Sequence, residues 1–317
     1  MQLNILNYYE KRIPKILRKL TKSYLKRYNY KCIKYDENFS KQLKLIKWAD
    51  ILFLTPGRFL SDELISNAKH IKLIQIWSSG FDKLNLKAIK KFKIPLANNY
   101  SVNSTSVAEH TIMLMLNTLR KFPIYSEITH DCKWAGNSHG TDCFNLKNKK
   151  IGIVGLGKVG KKVAKICKSF GCQIYYNDLK IKKNSGYKYL SLREVFKNCD
   201  IITLHLHFNS KTKHIVNKKI LNLMHKNSFL INVSRAELVD NKYLNHLLNK
   251  KKIAGVGIDV FEKEPTQKGD YFIKSKNACL TPHTAGSTID TYKEVLETCV
   301  QNFERIKRKK KIKLIKI

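Results

Sequence analysis

The chain has 317 residues, 43% of them hydrophobic, enough for a large core and about two domains. No run approaches the roughly 20 apolar residues of a membrane span, and the opening M-Q-L-N-I-L-N-Y-Y-E lacks a signal peptide's basic-then-apolar pattern. The formal net charge of +37 raises a nucleic-acid or anionic-membrane partner. Nearly all of it is lysine rather than arginine, however, and it runs the whole length beside abundant Asn, Ile and Tyr. That profile fits A/T-rich codons better than a selected binding surface, so neither partner is expected. The dense run Arg305 to Lys313 reads as a solvated helix end and tail. The eight cysteines form no C-x-x-C and no zinc spacing with histidine, so they read as reduced thiols in a cytoplasmic protein without a metal.

The first third alternates strand-like and helix-like segments. Strands are predicted at Leu3 to Tyr8, Tyr30 to Tyr35, Asp50 to Leu54 and Ile71 to Trp77, with helices at Ile13 to Tyr28, Lys41 to Trp48 and Ser61 to Ala68. Ser61-Asp-Glu is an N-cap pattern. Alternating β and α implies a parallel sheet covered on both faces. Ser104 to Arg120 follows, with capping-box spacing at Ser106 to Glu109. It is apolar almost all round, as a helix buried between layers would be. Glu109 and His110 have ordinary readings there, as a cap and a satisfied core histidine. Lys121 to Leu146 reads as an irregular connecting loop.

The centre of the chain is Ile151 to Gly160, I-G-I-V-G-L-G-K-V-G. A short apolar strand runs into Gly155-x-Gly157-x-x-Gly160, and a helix-like stretch, Lys161 to Phe170, follows. Strand, glycine loop and helix is the order a dinucleotide phosphate site requires. Gly155 serves the tight turn, Gly157 the approach of a pyrophosphate, and Gly160 the packing of helix on strand. Gly171 suits the helix C′ position. Asp178 ends the next strand, Cys172 to Asn177, where a carboxylate can accept from the adenosine ribose hydroxyls of NAD and repel the extra phosphate of NADP. Lys180, Lys182 and Lys183 just downstream weaken that preference. Further strands are predicted at Ile201 to Leu206, Phe229 to Val233, Ile253 to Val260 and Ala278 to Leu280, and an amphipathic helix at Thr288 to Lys307.

Titratable groups sit where these strands end. Arg235 follows one, Asp259 and Glu264 another, and His283 the last. Ligands of open α/β sheets bind outside the carboxyl ends of strands. Arg235 can fork two N–H groups toward a carboxylate or carbonyl. His283 can exchange a proton with the reacting oxygen, with Glu264 beside it favouring the imidazolium.

Several stretches together resemble the D-isomer-specific 2-hydroxyacid dehydrogenase family. They are S-S-G-F-D at Ser78 to Asp82, V-A-E-H at Val107 to His110 and G-L-G-K-V-G at Gly155 to Gly160. I-N-V-S-R at Ile231 to Arg235, G-I-D-V-F-E-K-E-P at Gly257 to Pro265 and L-T-P-H-T-A-G at Leu280 to Gly286 continue them. The resemblance implies a Rossmann-type doubly wound parallel sheet, residues 102–286, inserted in a smaller flavodoxin-like substrate domain, residues 1–101 plus 287–317. It implies that Arg235, Glu264 and His283 are catalytic and that backbone amides of Ser78, Ser79 and Gly80, with Arg235, bind substrate. Lys158, Val159, Asp178, Val233, Ser234, Arg235, Asp259 and Gly286, with the three loop glycines, fall on positions that contact NAD in relatives. The helix at Ser104 to Arg120 becomes an interdomain and dimer element, and a homodimer is expected.

Two departures from the family pattern stand out. His205-Leu-His207 replaces H-x-P, which implies a looser loop, and Arg235-Ala236 replaces Arg-Gly, which restricts the backbone if φ is positive there. Arg58 is a candidate for helping to bind an anionic substrate. The expected function is NAD-dependent hydride transfer on a small D-2-hydroxy or 2-oxo acid of the hydroxypyruvate, glyoxylate or phosphoglycerate type. The alternatives are a family enzyme for another anion such as phosphite, and an NAD(H)-sensing, corepressor-like binding protein.

Overall fold

The computed structural model describes residues 2–11, 13–55, 60–81, 84–134, 136–182 and 185–315. Arg58, Asp82 and Lys183, and what was expected of them, lie outside these residues. The chain forms two compact units, residues 1–103 with 287–317, and residues 104–286.

In the first unit, β1 (Asn4–Tyr9), β2 (Asn29–Lys34), β3 (Ile51–Leu54), β4 (Leu73–Ile76) and β5 (Leu96–Ala97) form a parallel sheet. Their order is β2-β1-β3-β4-β5, the flavodoxin-like order. Helices α1 (Lys15–Leu25), α2 (Phe39–Trp48), α3 (Asp62–Ser66) and α4 (Leu86–Lys91) make the crossovers. β3 and β4 are buried at every position, so neither alternates apolar and polar residues, and Gln75 is the one polar side chain among their eight positions. Ser61 caps α3 as expected, its Oγ accepting from the Leu64 N–H at 3.2 Å.

The second unit opens with α5 (Ser104–Leu119) and α6 (Phe122–His130), then β6 (Lys150–Val154) and α7 (Lys158–Ser169). It continues through β7 (Gln173–Asn177), β8 (Lys188–Tyr189), α8 (Leu192–Asn198), β9 (Ile201–Leu204) and α9 (Lys218–Leu221). β10 (Phe229–Asn232), α10 (Asn241–Asn249), β11 (Gly255–Ile258) and β12 (Ala278–Leu280) complete it. Every pair of neighbouring strands is parallel, in the order β12-β11-β10-β9-β6-β7-β8. That is the doubly wound Rossmann arrangement, its direction reversing between β6 and β9.

Three local expectations change. Residues 121–146 are not a plain loop, because α6 and a 3-10 turn, Asn137–Asp142, occupy much of them. α6 buries none of its residues fully, but its half-buried Ile124, Tyr125 and Ile128 recur at helical spacing, and Pro123 suits a helix start. α5 begins at Ser104, which puts Ser106 inside the first turn rather than at a cap. The helix after the glycine loop begins at Lys158, which puts Gly160 in its first turn.

The chain returns to the first unit with α11 (Ile289–Lys307), capped by Thr288, whose Oγ1 accepts from the Thr291 N–H at 3.1 Å. Its Val295, Leu296, Cys299, Val300 and Phe303 pack with Leu3, Ile5, Ile51, Phe53, Leu73 and Trp77. The Phe303 ring lies edge-on to Phe53 at 5.8 Å and to Tyr28 at 6.0 Å. Burying each large side chain of this kind contributes roughly 1.5–3 kcal/mol. Among the described residues, no helix is long and apolar enough to cross a membrane.

Candidate functional site at the carboxyl edge of the second sheet

The parallel order of the second sheet brings the loops after β12, β11, β10, β9, β6 and β7 to one edge. His283, Asp259 with Glu264, Arg235, His205, the glycine loop and Asp178 therefore share that edge, in that order.

The glycine loop is shaped for a phosphate group. Gly155 has φ +99°, and a Cβ on it would lie 2.5 Å from the His205 carbonyl oxygen. A Cβ on Gly160 would lie 2.2 Å from the Gly155 oxygen, so α7 approaches β6 only because that atom is absent. A Cβ on Gly157 would meet nothing within 4 Å. Gly157 is the N-cap of α7, and no side chain caps that helix. Open space in front of uncapped N–H groups at a positive helix end fits the pyrophosphate of a dinucleotide. Lys158 opens the helix exposed to solvent, and Val159 packs partly against the core.

Asp178 is tied to this loop directly. Its Oδ2 accepts from the Leu156 N–H at 3.1 Å and lies 3.4 Å from Lys182 Nζ. Lys182 is itself placed by a buried phenol, because its N–H donates to Tyr176 Oη at 2.9 Å. His205, after β9, shares a 3.0 Å hydrogen bond between Nε2 and Thr203 Oγ1. Burial pushes its pKa down to about 3, so the ring is neutral at ordinary pH. The loop that follows carries its own hydrogen bonds. Thr212 Oγ1 donates to the His207 oxygen at 2.8 Å, and Asn209 Oδ1 accepts from the N–H groups of Lys211 and Thr212.

After β10 the chain turns under close control. Val233 is buried, and Ser234 Oγ donates to the Leu204 oxygen at 2.6 Å. Asn232 accepts from the Ser234 N–H at 3.0 Å and donates to the Arg235 oxygen at 2.9 Å. Arg235 is half-buried and extended, with Nη1 donating to the Ser234 oxygen at 2.7 Å. Ala236 opens a 3-10 turn without a positive φ, so its methyl group imposes no strain.

His283 and Glu264 are in direct contact. His283 Nδ1 lies 2.8 Å from Glu264 Oε1 and 2.9 Å from Oε2. An ionised carboxylate can only accept, so Nδ1 carries the hydrogen and Nε2 is the nitrogen left for proton exchange. His283 has φ 55°, a left-handed conformation unusual for a histidine, and the loop around it is held accordingly.

The holding group is Asp259, which is fully buried. Its Oδ1 accepts from Thr281 Oγ1 at 2.6 Å and from the Thr284 N–H at 2.9 Å, and its Oδ2 from the Ala285 N–H at 3.0 Å. His110 Nε2 from α5 lies 3.4 Å from Oδ1 and 2.9 Å from Thr281 Oγ1. Burial alone would raise the Asp259 pKa, but hydrogen bonds from His110, Thr281, Ala285 and Thr284 outweigh it and hold the carboxyl below its ordinary value. Gly286 is the last residue of the unit.

In the first unit, Ser78 Oγ donates to the Gly80 oxygen at 2.8 Å and Ser79 Oγ to the Asn99 oxygen at 2.8 Å. Asn98 Nδ2 donates to the Ser79 oxygen at 2.6 Å. Side chains and carbonyls are thus engaged within the loop. Among the described residues, the N–H groups of Ser78, Ser79 and Gly80 have no acceptor.

Sequence reading missed the supports: Thr281, Thr284, Asn232 and the reach of His110. Their only signal was the pair of threonines flanking the histidine in Thr281-Pro-His-Thr284.

Residues 112–285 match the family model described as D-isomer specific 2-hydroxyacid dehydrogenase, NAD binding domain. The chain is 33% identical over 254 residues to a glyoxylate/hydroxypyruvate reductase of Arabidopsis thaliana, covering 80% of this chain and 78% of that protein. It is 30% identical over 269 residues to a glyoxylate reductase of Thermococcus litoralis, covering 82% and 81%. The solved D-lactate dehydrogenase of Aquifex aeolicus, complexed with NAD and lactic acid, superposes with a TM-score of 0.83 at 25% identity, covering 96% of each chain. With a dinucleotide loop and a paired histidine and glutamate on one sheet edge, the chain belongs to the D-isomer specific 2-hydroxyacid dehydrogenase family, NAD-dependent oxidoreductases acting on CH–OH groups.

Proposed function

We propose that this enzyme reduces a short 2-oxo acid of the glyoxylate or hydroxypyruvate type to the D-2-hydroxy acid, with His283 as its acid/base. The observation that carries this reading is the His283–Glu264 contact, which leaves Nε2 as the exchangeable position. The names of the two curated relatives support the substrate class. Gly155, Gly157, Gly160 and the N-terminus of α7, with Lys158 and Val159, hold the pyrophosphate, and Asp178 accepts from the ribose hydroxyls. Val233, Ser234, Arg235 and Gly286 border the same cofactor, whereas Asp259, fully buried, acts through the loop it holds. Bound NADH supplies the hydride. His283 donates its Nε2 proton to the substrate oxygen and recovers it in the reverse direction. Glu264 fixes the ring's tautomer. Arg235 directs its guanidinium at the substrate's oxygens. Ser78, Ser79 and Gly80 offer their N–H groups to its carboxylate.

The working form is a cytoplasmic homodimer in this reading. Met113 on α5, Phe122 on α6 and Trp134 just after it, exposed at 37%, 56% and 91%, offer apolar surface suited to a second copy. Light scattering of the purified protein at a monomer's mass would reject the dimer.

The test is NADH oxidation with glyoxylate, hydroxypyruvate, pyruvate, longer 2-oxo acids and 3-phosphohydroxypyruvate. Highest kcat/KM is expected with one of the first two. His283→Ala should reduce kcat by at least about 100-fold while NADH affinity stays within about twofold. Undiminished turnover in that variant would remove His283 from the role.

A further inference from the structure

We propose that His110 is a positioning residue for the reaction, acting through Asp259 and Thr281 on the loop that carries His283. The inference rests on the acid/base reading of His283 given above.

The donors and acceptors of this cluster leave one consistent arrangement. Asp259 is ionised and can only accept. The Thr284 and Ala285 N–H groups can only donate, and they point at its two oxygens. The Thr281 hydroxyl lies 2.6 Å from Oδ1, so its one hydrogen goes to the carboxylate. Its lone pairs then face His110 Nε2, 2.9 Å away. Nε2 must therefore carry a hydrogen and donate toward Thr281 Oγ1 and Asp259 Oδ1 together. His110 side-chain exposure is 14% and that of Asp259 is 0%, so water is a poor substitute for this donor.

The position of His110 gives the bond its consequence. It sits in the second turn of α5, a helix with buried residues on several faces. α5 packs on β10, β11 and β12, the strands that feed the Arg235, Glu264 and His283 loops. His110 thus ties the 281–285 loop to a helix packed on all three of those strands. Residues 281, 284 and 285 are gripped, and His283, between them, is held at φ 55° with Nδ1 on Glu264. A buried network in which every member is satisfied defines one geometry and becomes loose when one donor is lost. A small misplacement of a proton donor is felt mainly in turnover.

The experiment compares wild type, His110→Ala, His110→Gln, Thr281→Val and the Ala/Val double variant, with His283→Ala as reference. Glutamine keeps an N–H donor near the position of Nε2. In each protein, kcat, the oxo-acid KM and NADH affinity by fluorescence quenching are measured. His110→Ala is expected to lower kcat about tenfold or more, with KM and NADH affinity within about twofold. His110→Gln is expected to recover kcat to within about threefold of wild type. The double variant should be no slower than about twice the slower single variant, because both interrupt one chain of hydrogen bonds. Unchanged kcat in His110→Ala, a glutamine variant as slow as the alanine variant, or multiplicative losses in the double variant would each overturn the proposal. If His283→Ala retains full turnover, the acid/base reading fails. If His283→Ala is inactive while His110→Ala is fully active, only the positioning role fails.

Discussion

Two carboxylates at the same edge of one sheet are used in opposite ways. Asp259, after β11, is fully buried and surrounded by donors from its own unit. Asp178, after β7, has a side-chain exposure of 17%, one backbone donor and one lysine. The first spends its acceptors on the protein's own loop, and the second keeps acceptor capacity for a ligand. Identical side chains at equivalent strand ends thus separate, through burial and local donors, into a strut and the group proposed above to recognise the cofactor.

The largest expected effect would break this contrast. Asp259→Ala leaves the Thr284 and Ala285 N–H groups without their acceptor in a buried site, and should cost about 3–5 kcal/mol of stability and most of the turnover. Asp178→Ala should stay within about 0.5 kcal/mol of wild-type stability. Its effect should appear as NADH affinity lowered about tenfold and a reduced preference over NADPH. Urea unfolding and nucleotide titration of both variants make the comparison, and equal stability losses would erase the distinction.

The glycine loop offers a second pair, with smaller expected effects. Gly160→Ala places a methyl group against the Gly155 oxygen and should destabilise the unit by about 1–3 kcal/mol. Gly157→Ala meets nothing in the protein, so its melting temperature should hold while NADH affinity drops about tenfold. An affinity loss without a stability loss is the result that assigns the open face of Gly157 to the cofactor.

Acid titration separates Asp259 from His205. The folded pKa of Asp259 is depressed, so its contribution is present above the ordinary carboxylate value of 3.8 and is lost as pH falls through the lower folded value. The folded pKa of His205 is also depressed, from 6.5 to about 3, but here the neutral form is favoured. The unfolded chain binds the extra proton first, so stability declines progressively as pH falls from 6.5 toward 3. His205→Gln should flatten that part of the stability profile, and an unaltered profile would show that His205 does not titrate there. The smallest effect is expected of Lys182→Ala. Removing the ammonium beside Asp178 should raise the preference for NADH over NADPH by about two- to threefold, read as a ratio of affinities.

The legibility of the chain followed the range of the forces involved. Strands such as β3, β4, β6 and β9 could be read because burial on both faces makes them mostly apolar, with Gln75 and Thr203 as buried exceptions and Lys150 as an exposed first residue. α11 could be read because its buried residues recur at spacings of three and four. α6 was missed although Ile124, Tyr125 and Ile128 recur at helical spacing, because the helix is short and buries none of its residues fully. At the site, Gly155, Gly157, Gly160, Asp178, Arg235, Glu264 and His283 announced themselves through motifs and strand ends. Their supports did not, because a hydrogen bond between His110 and Thr281, 171 residues apart, leaves no trace in local composition. Whether Ala236 is strained could not be read for a similar reason, since the sign of φ there depends on the turn that follows β10, and φ is not positive.

The first unit is built from both ends of the chain, and this sets an order of assembly. During synthesis residues 1–103 emerge first, but the face of β1, β3 and β4 that packs on Val295, Leu296, Cys299 and Phe303 stays uncovered until α11 is made. The contiguous 104–286 unit can close its own sheet before then. Residues 1–103 are therefore made before the 104–286 unit but completed after it. The uncovered Ile5, Phe53 and Trp77 make the nascent N-terminal part the stage most exposed to aggregation.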